Sequence, residues 1–276
     1  MPLLELRNIQ KAFNGAPVLR GVSFDLQPGE VHALIGANGA GKSTLIKILA
    51  GVHTRDAGEI LVDGHPARIE NPRGAMELGI GVIYQEFNLV PELSVAENVL
   101  LGQEPVHRLG GLLPLISRSG IRAEARRHLG ELGFPLDPDR PVKELTTGEK
   151  QLVEIAKALH RKARILVLDE PTAALSRGES ERLFQIVRGL QERGLGLIYI
   201  SHHLEEVFAI SGRVTVLRDG QNVNTWDTSA VTEGDLVQAM VGRAVEAGAR
   251  PEVELGEPVL ETEGLSGSGF RDVSLG

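Results

Sequence analysis

The sequence predicts an α/β fold: a mostly parallel sheet core covered by helices, with an N-terminal antiparallel β layer and an inserted helical subdomain. Three observations predict it. Short apolar runs at residues 31–35, 79–84, 165–169, 197–201 and 214–218 alternate with helix-period segments, as buried parallel strands and their crossover helices do. The first thirty residues alternate polar and apolar positions and turn at Asn14-Gly15 and Gln27-Pro28-Gly29, which points to antiparallel pairing. Residues 92–162 are helical in pattern but broken at Pro105, Gly110-Gly111, Pro114, Pro135 and Pro138. They read as a helical subdomain, bounded at about residues 86–162, inserted into the sheet domain.

Composition narrows the class. The 276 residues, 42% of them apolar, suffice for a full core. No run approaches the eighteen or so apolar residues that a helix needs to cross a bilayer. Residues 1–7 lack a basic segment followed by an apolar one, so the chain is not expected to be secreted. The absence of cysteine excludes disulfides and thiolate metal sites, in keeping with a reducing cytosol. A formal charge of −8 without a Lys/Arg block offers nucleic acid no footprint, and none is expected as a partner. The basic cluster at residues 122–127 reads as a solvated helix face. His32, His53, His65, His107, His128, His160 and His203 show no metal-ligand spacing.

The strongest local signal is Gly36-Ala37-Asn38-Gly39-Ala40-Gly41-Lys42-Ser43, which matches G-x-x-x-x-G-K-[ST]. It follows the apolar run at 31–35, and Thr44 continues into a helical pattern, so the strand–loop–helix context of a P-loop is complete. Glycines let backbone N–H groups converge on phosphate oxygens, and the helix start adds partial positive charge. Lys42 is placed to reach the β- and γ-phosphates, Ser43 to ligate Mg²⁺, and Thr44 to add a hydroxyl contact.

A second run, residues 165–170, ends Asp169-Glu170. A carboxylate at the C-terminal end of a buried strand reaches the sheet edge, where Asp169 can hold Mg²⁺. Glu170 is then placed to act as general base on an attacking water. The pentapeptide Leu145-Thr146-Thr147-Gly148-Glu149 precedes an amphipathic helix.

The order P-loop, Gln85 after a strand, this pentapeptide, Asp169-Glu170-Pro171-Thr172 and His202 after a strand resembles the ATPase cassette of ABC transporters, over residues 3 to about 243. The stretches Tyr84-Gln85-Glu86-Phe87-Asn88-Leu89, Ile200-Ser201-His202-His203-Leu204-Glu205-Glu206 and Met240-Val241-Gly242-Arg243 are similar to those of two-cassette ATPases that drive bacterial monosaccharide import. The resemblance implies a P-loop NTPase fold of the ABC type that hydrolyses ATP with Mg²⁺. It implies that Gln85 senses γ-phosphate and Mg²⁺, that His202 contacts γ-phosphate and orients the water, and that residues 173–176 cross to a partner cassette. Leu145–Glu149 would bind the ATP held by the opposite cassette. Phe13 falls where the family places an aromatic that stacks on adenine, although a core Phe fits there too. The signature departs from the common Leu-Ser-Gly-Gly-Gln: Thr147 adds bulk and Glu149 adds charge. The implied partners are membrane permease subunits, contacted through residues 86–101, a second cassette and, indirectly, a periplasmic sugar-binding protein, at the cytoplasmic face of a bacterial membrane. Another cargo, such as a nucleoside, or a soluble tandem ABC protein are the alternatives.

After a cassette at residues 1–243, residues 244–258 read as a linker. In the tail, Leu260-Glu261-Thr262-Glu263-Gly264-Leu265 echoes Leu4-Glu5-Leu6-Arg7-Asn8-Ile9, and Phe270-Arg271-Asp272-Val273-Ser274-Leu275 echoes Leu19-Arg20-Gly21-Val22-Ser23-Phe24. Two echoes in the same order favour a repeat over shared β patterning, so residues 259–276 are expected to be the start of a truncated second cassette.

Overall fold

Asn14 and Gly15, both at positive φ (50° and 82°), make the tight turn that joins β1 (Leu4–Phe13) to β2 (Ala16–Leu26). The computed structural model describes residues 1–109, 113–133, 136–242, 262–267 and 270–275. They divide into two compact units, Met1–Arg243 and Ala244–Gly276. In the first, the chain runs through β3 (Val31–Ile35) and α1 (Lys42–Leu49), then returns beside β1 as β4 (Ala57–Val62) and β5 (His65–Pro66). These strands make the antiparallel layer, in the order β2-β1-β4-β5.

The core sheet is completed beyond α2 (Pro72–Glu77) and β6 (Ile80–Ile83). The helical subdomain follows: α3 (Val95–Leu100), β7 (Val106–Leu109), β8 (Leu113–Ile116), α4 (Arg118–Glu131) and α5 (Thr147–His160). The chain then re-enters the sheet through β9 (Ile165–Asp169), α6 (Arg177–Glu192), β10 (Gly196–Ile200), α7 (Leu204–Ile210), β11 (Arg213–Arg218), β12 (Gln221–Asp227) and α8 (Glu233–Val241). The sheet order is β12-β11-β3-β10-β9-β6. Every pair is parallel except β11–β12.

Side chains alternate across the sheet and bury both faces. Ile165, Val167, Ile198 and Ile200 pack with α1 and the antiparallel layer. Leu166, Leu168, Leu197 and Tyr199 pack on the other side with α5 and α6. Helix starts are fixed by reciprocal side-chain caps at Ser94/Glu97, Thr146/Glu149 and Ser176/Glu179, each satisfying two otherwise open N–H groups.

Two features differ from the sequence reading. Strands β4, β5 and β12 escaped it because much of their surface faces water, and β12 (QNVNTWD) reads as a polar loop. The insert contains the β7–β8 hairpin, where Pro114 had suggested only a helix break. The linker expected at residues 244–258 lies outside the described residues.

In the second unit, β13 (Thr262–Gly267) and β14 (Phe270–Leu275) form an antiparallel hairpin. Its register repeats that of β1–β2. Leu265 opposes Val273 as Ile9 opposes Val22, and Thr262 opposes Leu275 as Leu6 opposes Phe24. The irregularities fall at matching positions, with positive φ at Asn8 and Gly264 and again at Gly21 and Asp272. The N–H of Asn8 donates to Ser23 Oγ at 3.0 Å, and that of Gly264 to Ser274 Oγ at 3.2 Å. Shared β patterning alone does not reproduce a bulge and its side-chain bond.

Candidate functional site

The P-loop leaves the C-terminal end of β3 and is tight on one side, open on the other. A Cβ on Gly36 would lie 2.3 Å from Leu217 O, and one on Gly41, at φ 106°, 2.6 Å from Leu19 Cδ2. Both positions therefore require glycine. Ala37, Asn38 and Gly39 are exposed, Ala40 and Gly41 are buried, and Ser43 is exposed on the first turn of α1. No side chain caps α1, so the N–H groups of Lys42, Ser43 and Thr44 are open to an anion. Lys42 Nζ folds back over the loop, donating to Gly36 O at 2.6 Å and Ala37 O at 3.2 Å. Burial pushes its pKa below the ordinary value, and the charges of Glu170 and Asp169 oppose that shift.

Asp169 is the last residue of β9. β10 runs between β9 and the P-loop strand β3, yet the charge of Asp169 still acts on Lys42. The chain leaving the end of β10 brings His202 beside Glu170. Burial raises the Asp169 pKa, Glu170 raises it further, and Lys42 and Lys47 draw it back. Glu170 adopts φ 48° and its N–H donates to Ile200 O at 2.9 Å. This left-handed backbone, costly for a residue with a Cβ, aims Glu170 off the strand line. His202 Nδ1 stands 3.4 Å from Glu170 Oε1, and its ring packs on His203 with centroids 4.0 Å apart.

Gln85 follows β6, the edge strand next to β9, and is exposed. Its neighbour Tyr84 has its pKa raised by burial and by the charge of Asp169, so the loop borders the same carboxylate. Three residues on, the backbone of Asn88 is held from both sides by α5. Its N–H donates to Glu154 Oε1 and its carbonyl accepts from Lys157 Nζ, each at 2.7 Å. Glu154 and Lys157 are 7% and 9% exposed. Sequence reasoning missed this clamp because charges three apart on a helix look like a solvated face.

Phe13 ends β1 and is 37% exposed. It stands edge-on to His53 at 5.1 Å, with Lys11 Nζ 5.4 Å from the ring centre. Leu145 is buried and Thr146 caps α5. Thr147 and Gly148 are the first residues of that helix, so Thr147 needs no glycine backbone. Glu149 closes the cap and forms a two-pronged pair with Arg140, at 2.8 and 2.7 Å. Burial works to raise the Glu149 pKa, but Arg140 and the Thr146 N–H outweigh it and hold the carboxyl below its ordinary value. Elsewhere, ligand atoms of Glu124, His128 and His160 lie within 4.8 Å of one another. Arg127 Nη2 already fills that cluster, 2.8 Å from Glu124 Oε2 and 2.9 Å from His128 Nε2.

A family model described as ABC transporter matches residues 19–173, more than half of the chain. The chain is 52% identical to the ribose import ATP-binding protein RbsA 1 of Rubrobacter xylanophilus, covering 99% of this chain and 54% of that protein. It is 48% identical to the ribose import ATP-binding protein RbsA of Rhodococcus jostii, covering 100% and 54%. The chain thus spans about half the length of these curated relatives. Among solved structures, a nucleotide-free ATP-binding cassette from an ABC transporter superposes with a TM-score of 0.73 at 28% identity, over 82% of this chain and 92% of that one. An ATP-binding cassette of an ABC transporter in its ADP conformation gives a TM-score of 0.72 at 28% identity, over 87% and 95%. With its P-loop, helical insert and strand-end carboxylates in this order, the chain belongs to the ABC transporter family as an ATP-binding cassette.

Proposed function

We propose that this chain binds and hydrolyses Mg-ATP as part of a two-cassette ATPase that powers import of ribose, or a similar monosaccharide, through a membrane permease. The observation that carries the chemistry is the gathering of Lys42, Asp169, Glu170 and His202 at one sheet edge, with His202 and Glu170 3.4 Å apart. The open N–H groups of the loop and α1 bind phosphate, and Lys42 exchanges its two loop carbonyls for phosphate oxygens. Glu170 takes a proton from the attacking water, while His202 orients that water and Gln85 reports phosphate to the helical subdomain. Ser43, Asp169 and Gln85 offer the oxygen donors that suit Mg²⁺, which when bound offsets phosphate charge. Phe13 supplies an exposed ring for adenine.

Two further elements make the site composite. Leu145–Glu149 serves the nucleotide of the opposite cassette, and the β13–β14 hairpin, with the register of β1–β2, begins that second cassette. The cargo assignment draws on the names of relatives about 50% identical across this chain. In this reading the protein works at the cytoplasmic face of the membrane, with a periplasmic sugar-binding protein as an indirect partner. Reconstitution of the complete protein with its permease and binding protein in proteoliposomes tests the reading. ATP-driven uptake of labelled ribose is expected, and uptake of nucleosides but no pentose or hexose would reassign the cargo.

A further inference from the structure

One carboxylate that the proposed chemistry does not use ties its loops together. Glu206, in the first turn of α7, accepts three hydrogen bonds. Tyr199 Oη and Ser201 Oγ donate to its Oε2 at 2.8 Å each, and Thr172 Oγ1 donates to Oε1 at 2.7 Å. The donors are buried: Tyr199 is 0% exposed, Ser201 3% and Thr172 7%. Ser201 Oγ also accepts the N–H of His203 at 3.0 Å.

The positions of these donors give the cluster its meaning. Ser201 immediately precedes His202. Thr172 lies two residues after Glu170 and one before the 173–176 loop. Tyr199 anchors the cluster in the middle of the sheet, between β9 and β3. Glu170 is itself bonded to this strand through Ile200 O. Glu206 thus joins the loop that carries His202 to the loop that carries Glu170, in addition to that backbone bond and the direct approach of His202 to Glu170.

We propose that Glu206 is a positioning residue, which sets the separation of His202 from Glu170 by binding Ser201 and Thr172 on its two oxygens. Carboxylate chemistry is needed for this. Three hydroxyl donors converge on Glu206, and a carboxylate offers acceptors on both oxygens, whereas an amide offers one oxygen and adds two donors of its own. Burial and the adjacent Glu206 charge raise the Tyr199 pKa, so its hydroxyl keeps the proton it donates. A displacement of the order of 1 Å between two catalytic groups costs up to about a hundredfold in rate.

This proposal rests on the roles assigned above to His202 and Glu170, and the experiment separates the two. Steady-state ATPase is measured on the complete two-cassette protein with its permease, for wild type, His202→Ala, Glu206→Gln and the exposed neighbour Glu205→Gln. Glu206→Gln is expected to lower kcat by about ten- to a hundredfold, with KM for ATP and the melting temperature little changed, and Glu205→Gln to match wild type. Loss of turnover in His202→Ala together with full turnover in Glu206→Gln overturns the proposal and leaves the assigned chemistry standing. Full turnover in His202→Ala overturns the assigned role itself, and the proposal with it. If Glu206→Gln does not fold, Thr172→Val removes one donor and leaves Tyr199 and Ser201 in place. It should still lower kcat at unchanged KM, and wild-type kcat in that variant rejects the positioning role.

Discussion

Replacing Lys42 by alanine isolates the phosphate cradle. In this structure the ammonium group is half-buried, bonded to Gly36 O and Ala37 O, and drawn toward Asp169 and Glu170. Ala37 is exposed, so water replaces that bond, whereas Gly36 is buried and its carbonyl loses a partner; the nucleotide-free fold should therefore change by no more than about 1–3 kcal/mol. Nucleotide affinity is a different matter. In the proposed site Lys42 is the flexible cation that reaches the β- and γ-phosphates, and a hydrogen bond to a charged partner contributes roughly 1.5–3 kcal/mol. Without it Asp169 and Glu170 face the incoming phosphates with less compensation, which works in the same direction. Mg-ATP should therefore bind about ten- to 150-fold more weakly. Titration calorimetry on the purified chain reads this directly, with melting curves confirming the fold. A dissociation constant within about twofold of wild type would mean that this loop is not the nucleotide site.

Three further outcomes are expected. Glu170→Gln should keep Mg-ATP binding while slowing turnover in the assembled transporter by about two to four orders of magnitude; near-normal hydrolysis would remove Glu170 from the role of base. Lys157→Met removes the bond to Asn88 O and the charge that favours the buried Glu154 carboxylate, and should cost about 1–3 kcal/mol in urea unfolding, whereas a loss below about 0.5 kcal/mol would show that water already satisfies these groups. His32 is fully buried between Asp25 O (2.7 Å) and Thr215 Oγ1 (2.8 Å), and burial pushes its pKa down to about 4 from 6.5. The unfolded chain binds the proton first, so stability is complete above pH 6.5 and is lost as pH falls toward 4, by about 3 kcal/mol in total. Unfolding of His32→Gln between pH 7 and 5 should lack this slope, and an unchanged slope would assign it to other groups.

The parts of this molecule that were legible in the sequence are those where local chemistry leaves little choice. Gly36 and Gly41 are dictated by close contacts and, at Gly41, by positive φ, and the strands β3, β9 and β10 are largely apolar because both sheet faces are covered. Asp169 and Glu170 stand out as charges ending such a run. What was not legible depends on partners far along the chain. Glu149 reads as a departure from an amide until Arg140 is seen beside it. The clamp on Asn88 joins residues 66 and 69 positions apart. Glu206 looks like one more acid in a helical first turn, and only the tertiary fold brings it Thr172, 34 residues away. An edge strand such as β12 stays hidden for the opposite reason, since most of its side chains meet water and carry no apolar pattern.

The start of α5 shows how the departures at Thr147 and Glu149 are compatible with a second phosphate site. Thr147 has helical backbone, so its side chain, unlike one at Gly148, meets no steric bar from the fold; a Cβ on Gly148 would lie 2.7 Å from Glu179 Oε1. The negative charge of Glu149 is matched by Arg140, leaving the helix start without net repulsion toward an anion. That end is already attractive to one: the Glu179 carboxylate accepts from Thr146 Oγ1 at 3.3 Å, and Ser176, then Thr146 and the Gly148 N–H, hold its pKa below the ordinary value. Glu179 is at the same time the cap of α6, bonded to Ser176 N and Oγ at 3.0 and 2.7 Å. In the proposed sandwich, a phosphate from the opposite cassette would take the place of that carboxylate, and Glu179 could yield through its side chain while keeping its bonds to Ser176. The signature and the 173–176 loop would then respond together to the partner's nucleotide, because one side chain holds both.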